Sequence, residues 1–169
     1  MKKLLAILLV GAMVVGMVAC GGNGGEESNA VANLEGTCIE ILDQIYANAE
    51  LDADFVEALQ YYDKTTIPTD DAEMKAWMIG TSDVNFTDSA YSAPMMSSVA
   101  YQCILLRLEE GADVEAAKQT ILDNADPVKW VCVEAEKVVV TNVGDVVLFV
   151  MADEATATAI ETAFLALGE

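Results

Sequence analysis

The stretch from Trp130 to Met151, WVCVEAEKVVVTNVGDVVLFVM, is the densest β-branched run in the chain and carries its own turn. Two apolar runs flank Asn142-Val143-Gly144. A three-residue hairpin loop ends in a left-handed residue, a place that suits glycine. With Gly144 there, Thr141 opposes Asp145, Val140 opposes Val146, Val139 opposes Val147 and Val138 opposes Leu148. Side chains alternate between faces along a strand. This register therefore puts Val138, Val140, Val146, Leu148 and Val150 on a core face. Val139, Val147 and Phe149, with Lys137, fall on the other. That second face is largely apolar too, so either the N-terminal helices cover it or a partner does.

Upstream of the hairpin, Ser97–Leu108 predicts a central strand. Val99, Tyr101, Cys103 and Leu105 lie on one side of it, and Ala100, Ile104, Leu106 and Leu108 on the other. Asp113 is placed to cap a helix that buries Val114, Ala117, Ile121 and Leu122 and ends before Pro127. After the hairpin, Asp153 caps a last helix with Ile160, Phe164 and Leu167 on one stripe. The order strand–helix–strand–strand–helix is most simply satisfied when the third strand inserts between the first two. A fourth strand would have to come from the region of Val84. Thr81–Pro94 has no clear period, and reads as an edge strand, a covering loop or a binding loop.

The N-terminal half reads as helices. Val31, Leu34, Cys38, Ile41, Leu42 and Ile45 recur at helical spacing, from a cap at Ser28 or Asn29 to about Ala49, with Gly36 inside. A short second helix follows Asp54 and buries Phe55, Leu59 and Tyr62. After the break at Ile67-Pro68-Thr69, Asp70 caps a third helix, Asp71 to Met78, stopped by Gly80. The expected fold is α+β: a small, mostly antiparallel sheet built on the C-terminal unit, with N-terminal helices, as one domain over 31–169.

Before that domain come two segments of a different kind. MKKLLAILLVGAMVVGMVAC opens with Lys2 and Lys3, continues in an uncharged apolar core from Leu4 to Val18, and ends at Ala19-Cys20. The core has signal-peptide length and is short for a membrane span. Residues 21–30, GGNGGEESNA, form a flexible tether whose r.m.s. span is about 16–19 Å. A small residue before cysteine resembles the lipobox of bacterial lipoproteins, with Met17 where leucine is usual. That resemblance implies a signal peptide over 1–19, cleavage after Ala19 and diacylglycerol on Cys20, with palmitate-type chains. Each buried CH₂ of such chains contributes about 0.8 kcal/mol to membrane anchoring. The expected location is the extracytoplasmic face of the cell membrane.

The formal net charge is −20, with 28 acidic residues against 8 basic ones, two of which are Lys2 and Lys3. Such a balance argues against nucleic acid and against anionic headgroups as partners. No histidine occurs in the chain. Histidine-based serine and cysteine triads are therefore excluded. Ser97 and Ser98 have no evident lysine partner for a rarer Ser–Lys arrangement. With no close cysteine pair there is no zinc pattern. Asp52-Ala53-Asp54 leads into Phe55 and Val56 and is no calcium loop. The glycines at 21–25 precede no phosphate-loop lysine. No catalytic residue, metal ligand or cofactor site is expected.

Carboxylates are abundant, so an acid pair for glycosidic hydrolysis is chemically allowed. Glu134 and Glu136, placed within the apolar hairpin, are the first acids to inspect. With Cys20 taken by lipid, Cys38, Cys103 and Cys132 remain. If Cys103 and Cys132 lie on strands separated by a third, they are about 9–10 Å apart, beyond disulfide reach. That spacing favours free thiols. Tyr91, Met95 and Met96, with Trp77 and Met78, form either a soft apolar binding surface or core packing.

Ser92–Leu108 (SAPMMSSVAYQCILLRL), then EEGADVEAAKQTILDNADPVKW and VEAEKVVVTNVGDVVLFVMADEATA, resemble an uncharacterised lipoprotein family of Gram-positive bacteria, a domain of unknown function. The matching features are a signal with cysteine, Pro94-Met95-Met96 before the first strand, a helix ending before Trp130 and the hairpin at 142–145. The resemblance covers the last half of the chain and implies location and a single domain, with no activity, substrate or cofactor. Three functions follow as expectations. The first is a non-enzymatic binding or accessory domain for an envelope partner. The second is a small-ligand or peptide-binding lipoprotein feeding a transporter. The third is a carboxylate-dependent hydrolase.

The anchor is directly testable. Protein extracted from membranes should begin at Cys20 and carry the acyl mass, and Cys20→Ser should release it to the soluble fraction. An unmodified Cys20 in the intact-mass spectrum would refute the anchor.

Overall fold

The computed structural model describes residues 33–169. The leader, Cys20, the tether, Val31 and the caps at Ser28 or Asn29 lie outside the described residues. Strands β1 (Tyr62–Thr65), β2 (Phe86–Pro94), β3 (Gln102–Leu108), β4 (Lys137–Val143) and β5 (Val146–Ala152) form one sheet in the order β1-β2-β3-β5-β4, every pair antiparallel. The fold is α+β, and β5 inserts between β3 and β4 as the connection pattern predicts.

Helices cover both faces. On one, α1 (Cys38–Asn48) and α5 (Glu154–Ala166) pack over Cys103, Leu105, Val139, Val146, Leu148 and Val150. On the other, Met78 and Ile79 of α3 (Ala72–Ile79) and Ile121 of α4 (Val114–Asn124) meet Ile104, Leu106, Val147 and Phe149. Both faces of β3 carry the residues expected of a central strand, although Val99 precedes it and is exposed. Every residue of β5 is buried. Among the described residues, no helix is long and apolar enough to cross a membrane.

The hairpin register differs from expectation by three residues, and the loop is one residue shorter. Val143 pairs with Val146, and Val139 with Val150, leaving a two-residue turn of Gly144-Asp145. Gly144, at φ +56°, takes the first central position, where a two-residue turn accepts glycine. Val140 and Val146 therefore lie on opposite faces. Val139, Val143, Val146, Leu148 and Val150 share the α1/α5 side, while Val138, Val140, Val147, Phe149 and Met151 share the α3/α4 side.

Three boundaries also move. Helix α1 starts at Thr37, whose side chain accepts from Glu40 N while Glu40 reaches back to Thr37 N, a capping box. Gly36 lies outside it at φ +84°. Tyr62 leaves α2 (Ala53–Ala58) after one 3-10 turn and begins edge strand β1. The irregular 81–94 region yields β2, which is neither an edge nor a loop: it lies between β1 and β3 and is mostly buried. Its polar residues have partners. Ser89 Oγ accepts from Ile67 N at 2.8 Å and donates to Ile67 O at 3.3 Å. At the bulge between Phe86 and Asp88, Asp88 turns its carboxylate onto Cys38 N at 2.7 Å, the first turn of α1.

The remaining caps behave as read, with Asp113 on α4, Asp153 on α5 and Asp71 rather than Asp70 on α3. Leu122 on α4 is exposed rather than buried. Gly80 ends α3 at φ +94°, and a Cβ there would meet Asn124 O at 2.3 Å. The ends of α3 and α4 thus touch backbone to backbone. Gly80→Ala combines a left-handed penalty of about 1–2 kcal/mol with overpacking of about 1–3 kcal/mol. It should therefore lower stability by roughly 2–5 kcal/mol, read as a fall in the urea midpoint with unchanged m-value.

Candidate functional site

Where β2 ends and β3 begins, the α3/α4 face loses its helical cover. A cavity of about 430 Å³ opens there. The end of α3 contributes Trp77, β2 contributes Tyr91, and the following turn contributes Met95. The segment between α4 and β4 crosses the same end. It is pinned there by Val131 N donating to Ser97 O (3.1 Å) and folded on itself by Ala135 N donating to Pro127 O (2.8 Å). It brings Lys129 and Trp130 to the cavity. Trp77 and Tyr91 lie 6.4 Å apart between ring centroids, tilted by 41°.

Lys129 and Gln102 form the polar part. Lys129 Nζ donates to Gln102 Oε1 at 2.7 Å and to the Trp77 carbonyl at 3.3 Å. It also lies 5.8 Å from the Trp77 ring centroid and 5.9 Å from that of Trp130, within cation–π range. Lys129 is exposed as a residue, but partial desolvation of its ammonium lowers its pKa, with Asp126 opposing the shift. Gln102 is 1 % exposed, and its Nε2 has no hydrogen-bond partner. Tyr91 is buried in this wall, and that burial, with Asp63 nearby, raises its hydroxyl pKa.

Of the expected surface, Tyr91 and Met95 line the cavity, with Trp77 and Met78. Met96 does not line it but stands beside its mouth, 71 % exposed. Gln102, Lys129 and Trp130 were not singled out by sequence. A glutamine inside YQCILLRL, a strand apolar on both faces, is the signal that points to them.

Glu134 and Glu136 do not lie within the hairpin. They precede β4 and are exposed, and Glu136 Oε2 accepts from Glu154 N at 3.1 Å, over the start of α5. A second cavity of about 810 Å³ between α1 and α5 is edged by Glu50, Glu136, Asp153 and Glu154. Asp153 accepts from Thr156 N at 2.9 Å, so two of these acids act as caps on α5. Ser97 and Ser98 are exposed in the turn before β3. Among the described residues, no group of three ligand side chains is placed to hold a metal ion.

All three described thiols are free. Cys132 is not on a strand: it lies exposed in the segment before β4 at φ +63°, a conformation that strains a non-glycine residue. On the α1/α5 side, Tyr46 and Tyr101 share a 2.6 Å hydroxyl contact beside Cys103. Burial pushes the Cys103 thiol up to about 12, and burial with the Asp88 charge does the same for Cys38. Neither supplies thiolate near neutral pH.

A comparison with protein-family models, curated proteins and solved structures finds no match for this chain.

The buried thiols set a pH dependence. Below their ordinary value of 9.0, folded and unfolded chains both hold the protons and no slope arises. Between 9 and about 12 the unfolded chain has lost protons that the folded chain keeps, so stability should fall as pH rises. Urea midpoints from pH 7 to 10 should show that fall, and it should shrink in a Cys38→Ala, Cys103→Ala double variant. Of the three described thiols, only Cys132 should react promptly with a thiol reagent in the native protein.

Proposed function

We propose that this chain is a non-enzymatic binding domain, held through Cys20 at the outer face of the cell membrane as an accessory to an envelope protein. One observation carries the reading. Large apolar side chains stand exposed together around the cavity mouth: Trp77 at 63 %, Met95 at 76 % and Val131 at 64 %, with Met96 beside them. The central strands β3 and β5 are buried on both faces, so this cluster is not a core left half-built. Clustered exposed aromatics and methionines are typical of contact surfaces, because they bury much area at little cost in fixed geometry.

The location rests on the leader, the lipobox-like cysteine and the glycine-rich tether, together with the resemblance of the last half of the chain to the uncharacterised lipoprotein family. A short tether keeps the domain within reach of membrane-embedded neighbours. The cavity itself favours a second reading, a small-ligand or peptide-binding lipoprotein serving a transporter. A carboxylate-dependent hydrolase has less support: two acids of the larger cavity cap α5, which is ordinary helix-terminal chemistry.

A photoreactive residue at Met96 should give a reproducible crosslinked product in intact cells that express the full chain. The same residue in place of Glu115, on the exposed side of α4, should not. No product at Met96, or equal products at both places, would count against the reading.

A further inference from the structure

Gln102 carries the one buried side-chain polar atom without a hydrogen-bond partner among the described residues. Such a group costs about 1–3 kcal/mol if nothing satisfies it. Its orientation is set by its neighbour. Lys129 donates to Oε1 at 2.7 Å, so the amide cannot be turned over without setting two donors against each other. The NH₂ end is the end left over, in a side chain that lines the cavity. Lys129 beside it uses two N–H groups, on Gln102 and on the Trp77 carbonyl, and has a third. Among the described residues, no carboxylate forms an ion pair with Lys129. In a chain of net charge −20, an unpaired cation between two indole rings is an unusual arrangement.

The geometry points to a ligand site at this cavity for a small monocarboxylate with a flat apolar body: Gln102 Nε2 and Lys129 Nζ take the carboxylate, and Trp77, Tyr91, Trp130 and Met95 take the body. The inference rests on the reading of this end of the sheet as a binding face. The unpartnered Gln102 Nε2 and the third N–H of Lys129 are both donors, which selects an acceptor. A charge-assisted pair of donors favours a carboxylate over a neutral carbonyl. Asp63 on the rim and the acidic surface oppose a second negative charge, which selects a monocarboxylate over a dianion. Aromatic walls select a planar body over a branched one. A cavity of about 430 Å³ falls at the small-molecule end of ligand pockets.

The chain contains two tryptophans, and both line this cavity, so tryptophan fluorescence, excited where tyrosine does not absorb, reports on it. The full chain in detergent would be titrated with phenylacetate and 3-phenylpropionate to about 10 mM, a decade beyond a 1 mM Kd. Phenylacetamide, phenethylamine, phenyl phosphate and methyl glucoside serve as comparisons. The expected result is a saturable change with the carboxylates that is at least about tenfold weaker with every comparison compound. Gln102→Met removes the unpaired amide, and Lys129→Met removes the cation. Each should abolish the response, while Gln102→Met leaves the melting temperature unchanged or higher. No saturable change, equal binding of the amide or the glucoside, or an intact response in either variant would overturn the ligand assignment. Crosslinking at Met96 does not depend on the ligand, so failure here is separable from failure of the broader reading.

Discussion

Strand β5 is buried along its whole length on both faces, and it is flanked by β3 and β4. This one constraint dictates most of the molecule. A strand with apolar side chains pointing both ways cannot sit in a sheet with a wet side. It needs a helix layer above and another below, and strand partners on both edges to satisfy its backbone. Helices α1 and α5 supply one layer, α3 and α4 the other. The helices reach those places through aspartate and threonine caps and through Asp88, which ties the sheet bulge to the first turn of α1.

The same constraint explains what sequence could and could not reveal. Two apolar faces on β3 were legible because its neighbours are apolar at every position except Gln102 and Arg107. That double-sidedness hid the hairpin register. A register slip normally exposes apolar residues, which is how patterning chooses between alternatives. Here the shift of three, an odd number, moves valine from one core to the other. The turn offered no arbitration either, since one glycine serves the end of a three-residue loop or the start of a two-residue one. Backbone geometry chose the shorter turn. The 81–94 stretch failed for a related reason. Serine and aspartate in a buried strand look like loop until Ser89 is seen bonding Ile67 and Asp88 is seen holding α1.

The candidate site was half legible. Tyr91 and Met95 stood out because aromatic and thioether side chains lay together in a segment without a period. Lys129 and Trp130 did not, because their importance depends on a connection crossing the end of the sheet, which local sequence does not encode. Gln102 held the missing information. A polar residue within a two-sided apolar strand must find a partner or carry a penalty. The register puts it on the α3/α4 face, opposite Met151 and beyond Ile104, at the point where helical cover runs out.

Position along the strand is therefore what separates core from site. Ile104, Leu106 and Leu108 point to the same side as Gln102, and all are sealed beneath the α3/α4 layer. Gln102 is equally hidden from solvent, yet what hides it is Lys129 and the aromatic rims, groups carried on a helix end and a connecting segment. Trp130 packs against the core, but Val128, Lys129 and Val131 beside it are exposed, so this part of the cover can shift without unpacking the sheet. A rigid floor with a displaceable roof is what a binding cavity needs. The two-layer packing demanded by β5 creates it at the end of the sheet that only the end of α3 reaches.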